Sequence, residues 1–302
     1  MRRKRFGLAL VAVAAATSAQ AHDATSLPLG DGHVSRSPKV GYVYSCGLAA
    51  GGGGAHRTGE WIHGDTWNPL DKPHVQGRIY WPDAVFDMQS VGDAVEVKGN
   101  GLPVGQPTGQ FPIARNDAAY AYDRNPNTIR TQKLDVSIPR HPQKSASPGC
   151  LPMGMIGFTT TGVALYNALD AQGRDAAAHE VQDLCDGHPE RSGQYHYHSA
   201  SPCLPGSESN TVVGWALDGY PILGMKDASG NQVINADLDA CHGRAETVTV
   251  DGARYDYAYR LTAEYPYTLG CYTGQIRPET RNAVRTDRGP RRGPPPGQQR
   301  RP

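Results

Sequence analysis

The sequence predicts a β-rich domain with a few short helices, held together by disulfides. Three observations predict it. Short alternating apolar and polar runs recur along the chain, and 36 glycines and 24 prolines in 302 residues interrupt anything longer. Six cysteines contain no Cys-x-x-Cys pair, which favours structural bridges over a redox motif or zinc ribbon. The third is a degenerate internal repeat. Cys185-Asp186-Gly187-His188-Pro189, then Tyr195-His196-Tyr197-His198, then Cys203 are echoed by Cys241-His242-Gly243-Arg244, Tyr255-Asp256-Tyr257-Ala258 and Cys271. On that alignment the second copy keeps both tyrosines and loses both histidines. The tyrosines then belong to the scaffold and the histidines to what the first copy does. The repeat suggests Cys185–Cys203 and Cys241–Cys271 as local bridges, which leaves Cys46–Cys150.

Arg2-Arg3-Lys4-Arg5, an apolar run from Phe6 to Thr17 and Ala19-Gln20-Ala21 read as a signal peptide over 1–21. The apolar run is too short for a membrane span, and the chain is expected to be exported, periplasmic or secreted. Cleavage there makes His22 the new N-terminus, whose amine and ring together suit copper. Residues 22–275 read as one large domain, with an N-terminal subregion over 22–148 and repeat halves at about 170–205 and 225–272. Strands are expected at 40–44, 77–81, 94–98, 134–138 and 212–217, and turns at Asn100-Gly101, Asp218-Gly219 and Asp251-Gly252. One helix is expected over roughly 175–184, with Ala177, Val181 and Leu184 on one face. The Arg-, Pro- and Gly-rich segment 276–302 reads as a disordered tail.

The formal charge of +1 hides an asymmetry. Removing the four basic residues of 1–21, and the eight arginines and two acids of 276–302, from totals of 30 and 29 leaves 18 basic and 27 acidic residues. The body carries −9, which speaks against nucleic acid as partner and is compatible with cations.

In a strand, Tyr195 and Tyr197 share one face, and His196 and His198 the other. Two imidazoles spaced this way supply two of three ligands to zinc or copper. His188, at the far end of the same loop, is the natural third. His179 and Asp183 are further candidates, because an i, i+4 pair on a helix shares a face. Glu180 and Asp218 are candidate general bases for a metal-bound water. His63, His74 and His141 read as structural, and no Gly-x-Ser-x-Gly elbow occurs.

At these residues the chain resembles the YHYH family. The resemblance also covers residues 41–46, 71–77, 149–152, 163–170, 179–189, 214–222 and 265–271. It implies an exported, cysteine-containing domain and supplies no reaction. The sequence therefore points to a transition-metal binder using a His-x-His strand, in enzymatic form a metal-assisted hydrolase. The alternative is a metal-free domain that binds a glycan, a small molecule or a partner, with structural histidines.

Overall fold

The computed structural model describes residues 23–47 and 53–286. The segment 1–21 expected to be a signal peptide, and His22, lie outside the described residues. Among the described residues the fold is β-rich, with no closed barrel. After several two-residue strands between Leu27 and Trp67, a three-stranded antiparallel sheet is formed by β1 (Phe86–Val91), β2 (Ala94–Gly99) and β3 (Leu134–Pro139). The larger sheet has eight strands: β4 (Met155–Thr159), β5 (Ala164–Tyr166), β6 (Gly187–Pro189), β7 (Tyr195–Tyr197), β8 (Val212–Ala216), β9 (Pro221–Leu223), β10 (Gly243–Arg244) and β11 (Ala258–Arg260). Their order across the sheet is β6-β7-β5-β4-β8-β9-β11-β10.

That order reads the same from either end, and so do the pairings. The central pair β4–β8 is antiparallel; β5–β7 and β9–β11 are parallel; β6–β7 and β10–β11 are antiparallel. Gly157 and Gly214 mark the seam. A Cβ on Gly157 would sit 2.6 Å from the Trp215 carbonyl oxygen, and one on Gly214 would sit 2.5 Å from that of Phe158. The two strands approach more closely than a side chain permits.

The pairing register fixes which residues of the halves correspond. Gly187 faces Tyr197, and Gly243 faces Tyr259. Leu165 faces Tyr197, and Ile222 faces Tyr259. Tyr195-His196-Tyr197-His198 is therefore matched by Tyr257-Ala258-Tyr259-Arg260, two residues later than the sequence alignment placed it. Tyr255 lies instead in a hairpin, 248–250 with 253–255, turned by Asp251-Gly252. The run Tyr255-x-Tyr257-x-Tyr259 offers two registers with the same facing, and the inserted hairpin decides between them. Asp256, which the sequence alignment set opposite His196, is exposed.

All three expected bridges form: Cys46–Cys150, Cys185–Cys203 and Cys241–Cys271. Three expectations need correction. Where a strand was expected over 77–81, only an isolated bridge between Ile79 and Thr108 forms. The helix over 175–184 is a single turn, α1 (Ala176–His179). Asp175 caps its start by accepting from the Ala178 N–H. Its end is cut off because the buried Lys72 ammonium donates to the carbonyls of Ala177 and Glu180, and the Gln182 amide to that of Ala176. The chain then runs extended, and Leu184 is 61% exposed rather than on a buried face. The segment expected to be disordered from 276 instead opens with a helix. Helix α2 (Pro278–Thr286) docks on β3, where the Thr280 hydroxyl accepts from the Ser137 N–H and donates to its carbonyl. Among the described residues, no helix is long and apolar enough to cross a membrane.

Candidate metal centre

The alternation in β7 does what period two requires. Tyr195 and Tyr197 are fully buried on the core face. His196 and His198 project from the other face, where His188 on β6 is the direct cross-strand partner of His196. The loop before β6 is set by Asp183. Its carboxylate accepts from the N–H groups of Cys185 (2.9 Å), Gly187 (3.2 Å) and Gly109 (2.6 Å), and from the Tyr195 hydroxyl (2.9 Å). Asp239 repeats the device for Cys241, Gly243 and Tyr257. Asp183 is thus committed to the turn and does not join the histidines.

Among the described residues, His188, His196 and His198 form a group able to hold a metal ion, with one ligand nitrogen from each lying within 4.8 Å of the others. The His196 Nδ1 is 3.0 Å from the Gln194 carbonyl, and the His198 Nδ1 is 2.5 Å from that of Asn167. A carbonyl only accepts, so both Nδ1 atoms carry protons and both Nε2 atoms present lone pairs. Those two Nε2 atoms are 3.1 Å apart. Two acceptors at that distance repel unless a cation lies between them. Neither ring nitrogen of His188, both buried, has a hydrogen-bond partner.

The three histidines are 2–4% exposed. Burial holds His196 down to about 4 and His198 to about 3, and His188 well below the usual histidine range. All three are neutral, ready-to-ligate imidazoles at pH 7. Glu180 completes the enclosure. Its Oε2 is 3.5 Å from the His188 Nε2 and 3.6 Å from that of His198. Burial, followed by the charges of Asp123 and Asp170, pushes its carboxyl well above the usual range.

The other candidates go elsewhere. The His179 Nε2 is 2.9 Å from Asp31. Asp218 is wholly buried in the second half of the sheet, where it accepts from the Tyr259 hydroxyl at 2.6 Å and the Gly274 N–H at 2.8 Å. Its carboxylate is thereby held within the scaffold of that half. His242 corresponds to Asp186 across the repeat and meets the Thr262 hydroxyl at 3.0 Å.

Two contributors were missed in the sequence. Tyr166 stacks on His196 at 3.8 Å and donates to the Gln194 side chain at 2.6 Å. Lys72 clamps the backbone that carries Glu180. Both fall within segments 163–170 and 71–77, which the family resemblance had marked without assigning a role.

Residues 135–234 match the family model described as YHYH protein. The match contains every residue of the histidine cluster and ends before the second set of cysteines. No curated protein and no solved structure matches the chain.

Proposed function

Taking residues 135–234 as a YHYH domain, we propose that this chain is an exported protein that binds one transition-metal ion, zinc or copper. The Nε2 atoms of His188, His196 and His198 are the ligands, and the Glu180 carboxylate is the fourth group. The observation that carries the reading is the pair of lone-pair-bearing Nε2 atoms 3.1 Å apart. Two nitrogens bound at about 2.0–2.1 Å to a tetrahedral zinc lie about 3.3–3.4 Å from each other, so the spacing suits shared ligation. A metal-free reading leaves both nitrogens of His188 buried and unpaired, at roughly 1–3 kcal/mol each.

The hydrolase reading keeps the same three ligands and gives Glu180 to a metal-bound water as general base. The 3.5–3.6 Å gap between the carboxylate and two Nε2 atoms favours it. The burial of all four residues, none above 8% exposed, favours a closed binding site.

The test is metal content of the mature protein, purified without a His-tag from an oxidising compartment, beside His196→Ala/His198→Ala. About one equivalent of metal in the parent, lost in a variant that keeps its circular dichroism, supports the reading. A parent that takes up neither zinc nor copper on reconstitution sinks it.

A further inference from the structure

The mirrored half of the sheet holds a second cluster at the corresponding place. His188, His196 and His198 are matched by Arg244, Ala258 and Arg260. Arg260 is 1% exposed and among the largest fully buried side chains of the molecule. Its Nη1 lies 3.3 Å from the Gly224 carbonyl and 2.6 Å from that of Lys226. Gly224 corresponds to Asn167, whose carbonyl holds His198. The carboxylate also recurs. In the first half one oxygen of Glu180 lies 3.5 and 3.6 Å from His188 and His198. In the second, one oxygen of Glu246 lies 3.6 Å from the Arg244 Nε and also contacts the Arg260 guanidinium. Glu180 precedes its Cys-x-Gly turn and Glu246 follows its own, so the same electrostatic arrangement is reached from different positions in the chain.

We infer that the fold contains two equivalent cation sites, and that in the second the cation is the chain's own Arg260. The inference rests on the metal reading of the first site and deepens it. The second site holds two permanently charged guanidiniums and one carboxylate, a fixed +1. Three neutral imidazoles and an ionised Glu180 reach the same +1 with one divalent ion. The first site is therefore matched to a divalent metal, and the protein takes one metal ion rather than two. Arg260 plugs the second site against exogenous metal.

The experiment is zinc stoichiometry, by equilibrium dialysis, of the parent and of Arg244→His/Ala258→His/Arg260→His with Glu246 retained. One equivalent in the parent and two in the variant are expected. One in both, with the variant folded, overturns the inference while leaving the first site intact. None in the parent overturns the reading on which it rests. Should the triple variant not fold, Arg260→Lys and Arg260→Met decide. A part-buried carboxylate that loses the nearer of its two cations is costly, so Arg260→Met is expected to lower the melting temperature by roughly 5–10 °C, with Arg260→Lys close to the parent. Equal melting temperatures for the two variants overturn the plug.

Discussion

The burial of the histidines makes a prediction about protons. Metal and protons compete for a ligand, so each ligand that must first lose a proton steepens the fall of affinity with falling pH. Three ordinary imidazoles would be mostly protonated at pH 5, and zinc affinity would drop several-thousandfold between pH 6.5 and 5. Here His196 and His198 are held to about 4 and about 3, with His188 also depressed, so none has a proton to lose in that window. That leaves Glu180, whose carboxyl burial raises, as the one group with a proton to give up on binding. One proton limits the fall to at most about thirtyfold over the same window. The assay is competition titration with a zinc buffer at three pH values between 5 and 6.5. Glu180→Gln should bind more weakly but with little pH dependence. A thousandfold or larger drop for the parent would show that the imidazoles titrate as solvated groups, and would refute the closed, pre-deprotonated site.

Other expectations follow from the scaffold. The Cys46–Cys150 bridge closes a separation of 104 residues and Cys185–Cys203 one of 18. Replacing each pair with alanine should cost about 4–5 and about 3 kcal/mol, read from urea midpoints, with the larger loss for the longer loop. His242 is fully buried and held to about 3 by burial alone. Its contribution is intact above the unfolded value near 6.5 and is lost as pH falls from there toward 3. His242→Asn should therefore remove about 2 kcal/mol of the stability loss between pH 6.5 and 5, seen as a shallower dependence of the urea midpoint on pH. Gly157→Ala pushes a methyl against the Trp215 carbonyl at the central seam, and should destabilise by roughly 1–3 kcal/mol in the same assay. A neutral result would mean the two halves are free to spread.

Much of the site was legible because its chemistry is local. Tyr195 to His198 announces its own two faces, and His188 sits one short loop away, so period two alone brings three imidazoles together. The cysteines were legible for the same reason, since the repeat pairs its own and leaves the third bridge by elimination. What failed was whatever depended on distant atoms. The helix over 175–184 had acceptable residues, but Lys72, a hundred positions upstream, captures its carbonyls and turns the chain out at Glu180. His179 and Asp183 thereby lost the shared face that made them candidate ligands, and Asp31 and Tyr195 claimed them. The repeat was found, but its register was not. Three tyrosines at alternate positions fit equally well two residues apart, and with the wrong pair chosen, Arg260 and Glu246 had no counterparts to suggest their role.

The seam between β4 and β8 also has a bearing on how such a molecule can change. Each half presents the same strand to the other in antiparallel register, which is the contact of an isologous dimer whose two subunits happen to share one chain. In a dimer of identical chains, every substitution strikes both copies at once, so a pocket is kept twice or lost twice. Tethering lifts that constraint. One half can carry a guanidinium where the other carries imidazoles, and still serve as a rigid abutment to it.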